Sequence, residues 1–284
     1  MMKRVGLIIG LFGLTWAAFG QCNPTNNLPS VMNPYTPGPQ PQASRPVPDP
    51  FVREADIMWS KRMWRMIDLK EKMNLPLYYP ITPNADRISM WDAIYCAVKT
   101  HEITLYEVSP FDYDNSFQTP MTKTEADSAL QKIIRLIDTL GNYRQVADRI
   151  KSDDIVSYML KEDWFFDKQR SVLDSRILGI CPFKKLFDED GNEIPGCVMM
   201  FWIYFPEIRN IFSKVQVYNT HNDYERRSLE SVFRKRMFSS YVVEASNVYN
   251  RRISDYMKNN LDALLEGEAI KENVRNFEND MWQY

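Results

Sequence analysis

The sequence predicts an α+β fold in which helices pack on small, mostly antiparallel sheets, preceded by a disordered proline-rich arm. The first observation is a change of composition near residue 50, since nine of the seventeen prolines lie between Pro24 and Pro50. The second is that capped helical segments alternate, further along the chain, with short runs of alternating polar and apolar residues. A chain of 284 residues is long enough to bury a sizeable core.

Residues 1–20 have the pattern of a secretory signal peptide. Two basic residues precede an apolar run, which ends with the small residues Ala18 and Gly20. We expect cleavage between Gly20 and Gln21, and an uncleaved membrane anchor is the alternative. A lipid-modified cysteine needs a small residue before it, but Cys22 follows Gln21, so we expect no lipid on this cysteine.

The next segment, residues 21–50, differs in composition from the rest of the chain. Only Arg45 and Asp49 are charged in it, and it has too few apolar side chains to offset the entropy cost of ordering. We therefore expect a flexible, extended arm of polyproline character. It is either an inert spacer or a tether that lies on a partner or on a neighbouring subunit.

The globular region, residues 51–284, begins with a predicted helix that leads into a strand. Residues 54–64 carry apolar side chains among charges in a pattern typical of a helix, and from Arg65 the pattern changes to alternation. A single helix that continues to Met73 is the alternative.

Three further elements are predicted in the first half of the globular region. A serine N-cap favours a short helix over 89–98, and alternation favours an edge strand over 103–108. Thr122 and Glu125 form a capping box in front of a long apolar face, which predicts a helix over 122–140.

The second half contains a predicted hairpin. Residues 172–180 and 198–205 have strand character, and Asp190 with Gly191 marks the turn between them. The remaining predictions are a short helix at 207–212, helical character at 224–238, a strand at 241–244 and a helix at 261–277.

A weak similarity links two distant segments. Residues 61–64 and 235–238 both contain two basic residues, a methionine and an aromatic residue, and an apolar trio follows each. One interpretation is an internal repeat that divides the globular region into two similar lobes, 51–145 and 146–284. Chance similarity is the other interpretation.

Cys181 and Cys197 flank the predicted turn. In an exported protein they could form a disulfide across the hairpin, although a strict two-residue turn would place Met200 opposite Cys181. The alternative is two separate buried thiols that pack as small apolar side chains.

Signatures of catalysis and of cofactor binding are missing from the sequence. The two histidines, His101 and His221, have no partner at metal-ligand spacing, and the glycines do not cluster as a phosphate-binding loop requires. Basic and acidic residues nearly balance, at 35 and 37, which gives no reason to expect a nucleic-acid partner. We expect no catalytic residue, metal or cofactor.

One pair of acidic residues keeps an enzymatic alternative open. Glu162 and Asp163 lie beside Trp164, a combination found in periplasmic carboxylate-based hydrolases such as glycosidases. Neighbouring residues on one element usually point apart, however, so we expect solvated charges near a packed tryptophan.

Aromatic and arginine side chains provide the candidate interface. Protein interfaces favour such anchors, and we select Trp202 and Tyr204 on the predicted strand with Arg234 and Arg236 on the predicted helix. The alternatives are core packing for the aromatic residues and a solvated helix face for the arginines.

Five segments in one order resemble the GldN/PorN family of Bacteroidetes gliding motility and type IX secretion proteins. They span most of the globular region and are DIMWSKRMWRMIDLKEKMNLPLYYP (56–80), EDWFFDKQRSVLDSRILGICP (162–182), FWIYFPEIR (201–209), FSSYVVEASNVYNR (238–251) and FENDMWQY (277–284).

This resemblance implies a structural, non-enzymatic role in the periplasm at the inner face of the outer membrane. It also implies an outer-membrane lipoprotein of the GldK/PorK type as partner, and self-association in a large ring. The resemblance assigns no residue to the contact with the lipoprotein.

Overall fold

A computed structural model describes residues 45–84, 87–108, 117–137, 143–188, 192–219 and 227–281. The signal peptide with its cleavage site at Gly20 and Gln21, and most of the arm, lie outside the described residues. Within these ranges the fold is α+β, as predicted.

In the described part of the chain, the fold is built on a seven-stranded antiparallel sheet and two smaller two-stranded sheets. The large sheet has the strand order β11-β1-β5-β6-β8-β2, and β7 pairs with β6 beside this path. The strands are β1 (Ile57–Asp68), β2 (Leu105–Tyr106), β3 (Gln131–Ile137), β4 (Tyr143–Arg149), β5 (Ile155–Asp167), β6 (Val172–Phe187), β7 (Glu193–Met199), β8 (Trp202–Tyr204), β9 (Gln216–Val217), β10 (Arg227–Ser228) and β11 (Tyr241–Ala245).

Seven α-helices accompany these strands in the described ranges. They are α1 (Leu75–Tyr78), α2 (Met90–Lys99), α3 (Lys123–Ala129), α4 (Phe205–Phe212), α5 (Leu229–Arg234), α6 (Ile253–Tyr256) and α7 (Asn260–Met281). None of the described helices combines the length and the apolar character that crossing a bilayer requires.

The main core lies between the large sheet and helices α2, α4 and α5. Trp91 and Phe201 are completely buried there, and the indole nitrogen of Trp91 donates a 2.9 Å hydrogen bond to the carbonyl oxygen of Ile150. Burial of one such ring stabilises the fold by about 2–3 kcal/mol. This core anchors α4 and α5, which carry Arg209 and Arg234 of the site described below.

Helix α7 covers the end of the sheet through a narrow stripe. Gly267, Ile270 and Val274 are buried against β11, and a Cβ atom added to Gly267 would lie 2.9 Å from the carbonyl oxygen of Val242. The helix backbone therefore lies directly on the strand, which only glycine permits at this position.

The opposite face of the sheet has a smaller core of its own. Its buried members are Trp64, Met159, Cys181, Phe183 and Trp202. Aromatic and sulfur-containing side chains pack well together because sulfur is polarisable. The large sheet is thus buried on both faces along its central strands.

The helix predicted over 54–64 is wrong. Residues 54–56 form a single 3₁₀ turn, and a continuous strand, β1, follows. This strand pairs with β5 on one side and with β11 on the other. Met63, Trp64 and Arg65 are buried in succession, so the strand lacks the alternation that marks a half-exposed strand.

The helix predicted over 122–140 is correct only in its first part. The capping box of Thr122 and Glu125 is present, but α3 ends at Ala129. The chain then continues as β3, which pairs in register with β4. Its isoleucines are β-branched and favour strands. The end predicted for this helix, at residue 140, lies outside the described residues.

The described strands do not separate into lobes 51–145 and 146–284. Strand β1, from the first range, lies between β11 and β5, which both belong to the second. The proposed repeat also adopts two different structures, since residues 61–64 are part of β1 whereas residues 235–238 follow α5. The two similar segments therefore do not occupy equivalent positions in this fold.

Several shorter predictions are confirmed with adjusted bounds. Ser89 caps α2 by accepting a hydrogen bond from the backbone of Asp92, Pro206 lies in the first turn of α4, and β2 is an edge strand. The predictions for β11 and α7 are also confirmed. Helix α5 is shorter than the 224–238 range, of which 224–226 lie outside the described residues.

Candidate interaction site

An arginine-lined cleft lies between one edge of β6 and helices α4 and α5. Its volume is about 350 Å³. The five arginines that line it, together called the arginine cleft, are Arg170, Arg176, Arg209, Arg234 and Arg236.

The cleft exists because β8 is short. Strand β6 pairs with β5 along almost its whole length, whereas on its other side β8 pairs only with Gly179 and Ile180, and β7 pairs further on. Pro206 takes the chain away into α4 directly after β8. Residues 172–178 of β6 consequently have no strand partner on this side among the described residues.

Arg236 lies in the cleft and forms an ion pair with the fully buried Glu162. Its Nη2 donates to both oxygens of Glu162, at 2.9 and 2.7 Å, and Trp164 Nε1 donates to Glu162 Oε2 at 3.0 Å. Glu162 has no exposed surface. Arg236 adopts φ = 53°, a left-handed conformation that is unusual for arginine. The ion pair is thus a structural link between α5 and β5.

Arg65 is the second cation near this pair. It is buried and donates to Ser240 Oγ at 3.0 Å. Burial lowers the pKa of Arg65, while the negative charge of Glu162 acts in the opposite direction. Glu162 therefore compensates the charge of Arg236 and, together with Glu268, favours the charged form of Arg65.

Arg209 connects the cleft to the arm. Its Nη1 donates to Asp49 Oδ2 at 2.8 Å, and its Nη2 donates to Glu230 Oε1 at 2.9 Å and to the carbonyl oxygen of Val47 at 2.7 Å. The side chain is only 11% exposed. Arg209 was not selected from the sequence. The sequence feature that indicates a basic partner for the arm is Asp49, one of only two charged residues in residues 21–50.

The other three arginines differ in their partners. Arg170 donates to Asp167 and Asp174, and its hydrogen bond holds the pKa of Asp167 below its usual value. Arg176 and Arg234 form no ion pair with a carboxylate among the described residues, and Arg176 Nε is buried without a hydrogen-bond partner. The cleft therefore offers two guanidinium groups to acceptors outside the folded domain.

The four residues selected for an interface have different positions. Trp202 is 1% exposed, so it belongs to the core, because both its neighbours in the sheet and Phe117 enclose it. Tyr204 is 37% exposed and Arg234 is exposed. Arg236 is engaged by Glu162. Tyr204 and Arg234 thus stay available at the surface.

The two adjacent carboxylates do not form an acid–base pair. Alternation along β5 places Glu162 on the helix-covered face and Asp163 on the other face, where Arg62 Nε donates to Asp163 Oδ1 at 2.7 Å. Their positions correct the expectation that both are solvated, since Glu162 is fully buried.

Metal ligands are not clustered in the part of the chain that the structure describes, where no group of three His, Cys, Asp or Glu residues could hold an ion. His101 is exposed at the end of α2, and His221 lies outside the described residues.

The disulfide between Cys181 and Cys197 is not formed. The register of the hairpin places Cys197 opposite Lys185, not opposite Cys181. Cys181 is buried and Cys197 is exposed, so the alternative of two buried thiols is correct only for the first.

The two thiols are expected to react very differently. Burial raises the pKa of Cys181 to about 12, and the thiolate is the reactive form. Treatment of the native protein with iodoacetamide at pH 8 followed by peptide mapping should therefore show modification of Cys197 and protection of Cys181. Equal modification in urea is the control. Rapid native modification of Cys181 would contradict its burial.

Comparison with known proteins gives one family. The family model described as "Gliding motility associated protein GldN" matches residues 52–283, which is nearly the whole globular region. No curated protein matches the chain.

Proposed function

Because this chain belongs to the GldN family of gliding motility associated proteins, we propose that it is a structural component of the type IX secretion and gliding motility machinery. It acts in the periplasm, at the inner face of the outer membrane, and it catalyses no reaction. Its partners are an outer-membrane lipoprotein of the GldK/PorK type and further copies of itself in a large ring.

The observation that carries this proposal is the family match over residues 52–283. The chemistry of the described residues is consistent with it, since the conspicuous charged groups form structural ion pairs such as Arg236 with Glu162 and Arg62 with Asp163. Carboxylates engaged in this way are poorly placed to transfer protons to a substrate.

A ring requires two different contact surfaces on each subunit. Head-to-tail contacts close into a ring when their rotation divides a full turn, and the lipoprotein needs a further surface. The arginine cleft is the surface that we assign to assembly, and the exposed Tyr204 at the end of β8 belongs to a separate candidate surface. Arginine and tyrosine are enriched at protein interfaces.

Co-expression tests the proposal directly. The mature chain, residues 21–284, is produced together with the lipoprotein, and the mixture is separated by size-exclusion chromatography and viewed by electron microscopy. We expect co-elution in a large assembly with ring-shaped particles. A chain that elutes as a monomer beside the lipoprotein would contradict the proposal.

Reversal of charge at Arg234 should weaken this assembly. Arg234→Glu removes an exposed guanidinium from the cleft and introduces a charge that repels acidic acceptors, so the yield of co-purified lipoprotein or of large assembly should fall several-fold. Arg275→Glu is the matched control, because Arg275 is 66% exposed on α7. Equal yields of lipoprotein and of large assembly from both variants would show that the cleft is not part of the interface.

A further inference from the structure

The last residues of the arm lie in the arginine cleft. Arg209 binds the carbonyl oxygen of Val47 and the carboxylate of Asp49, and Arg234 Nη1 reaches the same Val47 oxygen at 3.4 Å. Arg176 donates to the carbonyl oxygen of Pro50. These hydrogen bonds all run from arginine side chains to backbone carbonyl oxygens or to the carboxylate of Asp49, so they recognise a segment that combines free carbonyl groups with one acidic side chain.

The segment contacts the open edge of β6 without joining the sheet. Prolines at positions 46, 48 and 50 lack the N–H group that a strand needs at every second residue. The segment contacts this edge through the hydrogen bond from Arg176 to the carbonyl oxygen of Pro50, and it adds no strand to the sheet.

The segment is held in a way that permits exchange. Val47 is 55% exposed, and the Asp49 side chain is 47% exposed, so the contacts are few and accessible to water. Phe51, directly after the segment, is 88% exposed. Residues 51–53 thus connect the segment to the 3₁₀ turn at Glu54–Asp56 with little packing to prevent a hinge movement.

We propose that, in the assembled protein, residues 46–50 of one copy occupy the arginine cleft of the next copy. The contacts are identical whether the segment comes from the same chain or from a neighbour, and exchange of such an element is a low-cost route to association. The arm and the cleft are two different surfaces, so the contact is head-to-tail, as a ring requires. This inference rests on the proposed function.

Cross-linking between differently tagged full-length mature chains tests the exchange. One chain carries Val47→Cys and the other Arg234→Cys, and both carry Cys22→Ser and Cys197→Ser. The chains are co-expressed with the lipoprotein and treated with a short bis-maleimide. We expect a covalent dimer that contains both tags. A chain with both new cysteines is the control, and cross-links confined within single copies of it, with none in the mixture, overturn the proposal.

A peptide-binding measurement tests the proposal if the cross-linker joins the two cysteines neither within one chain nor between two chains. In a full-length chain with residues 46–50 replaced by alternating glycine and serine, a fluorescent peptide of residues 44–53 should bind saturably. Adding Arg234→Glu to that chain should abolish the binding. Absence of saturable binding overturns the proposal.

The lipoprotein separates this inference from the function on which it rests. If the lipoprotein still co-elutes in large assemblies while chains are not cross-linked to each other, arm exchange is wrong and the proposed function stands. If the lipoprotein does not bind at all, the proposed function itself fails.

Discussion

Glu162→Gln is expected to lower the free energy of unfolding by about 3–5 kcal/mol, because it leaves Arg236 without its carboxylate partner in a buried site. Glu162 is fully buried, accepts two hydrogen bonds from Arg236 and a third from Trp164, and lies near the buried Arg65. Urea unfolding followed by tryptophan fluorescence measures the loss as a shift of the midpoint.

The neighbouring carboxylate supplies the control for this substitution. Asp163→Asn breaks the ion pair with Arg62, whose side chains are 32% and 37% exposed, and such pairs contribute about 0–1 kcal/mol. A second variant, Arg236→Met combined with Glu162→Gln, should recover part of the stability, since it removes the uncompensated charge as well. Equal losses for Glu162→Gln and Asp163→Asn would refute the buried ion pair.

Trp202→Ala is expected to destabilise the protein by about 3–5 kcal/mol, the usual cost of removing a buried tryptophan. The side chain is 1% exposed and packs with Met159, Cys181 and Phe183 on the second face of the sheet. Removing the side chain leaves a cavity on this face of the sheet. The strands around the cavity cannot move in to fill it, because backbone hydrogen bonds hold them in position. Chemical denaturation should show a lower midpoint with an unchanged slope.

Tyr204→Ala is the matched control for Trp202. Both residues lie on β8 and point to the same side, and Phe117 contacts both rings, yet Tyr204 is 37% exposed. We expect a loss of about 1 kcal/mol or less. A larger loss from Tyr204→Ala than from Trp202→Ala would mean that the surface and the core have been assigned to the wrong residues.

Local chemistry made several elements predictable from the sequence. Ser89 and Thr122 cap their helices with their own side chains, and Pro206 is pre-organised for the first turn of α4. Such features depend on residues within one helical turn, so no knowledge of the rest of the chain is needed to recognise them.

The predictions of secondary structure are wrong at two places, where pairing with distant strands determines the structure. The apolar pattern of β1 resembles a helix because both faces of a central strand are buried, and the pairing with β5 and β11 that buries them is not visible locally. After Ala129 the isoleucine-rich stretch continues with helical spacing, but pairing with β4 makes it a strand. Helical and strand patterns overlap in such short apolar runs.

The candidate site was predicted only in part. Arg234 and Arg236 were selected because arginine is common at interfaces, but Arg236 turned out to be paired with Glu162, 74 positions away in the chain. Arg176 and Arg209 were missed, since they meet in the cleft only after β6 and α4 have been placed side by side. The resemblance to the family, in contrast, depends on residue order alone and is confirmed over residues 52–283.

By itself the sequence determined the family, the α+β class and the helices with local caps, because each of these depends on residue types and their short-range order. Only the tertiary structure decided that Trp202 and Glu162 are buried, that Tyr204 and Arg234 are exposed, and that an arginine cleft holds the arm. The exposure and the ion pairing of a side chain depend on strand register and on where each helix packs. Both are set by contacts between distant segments, which the sequence around a residue does not reveal.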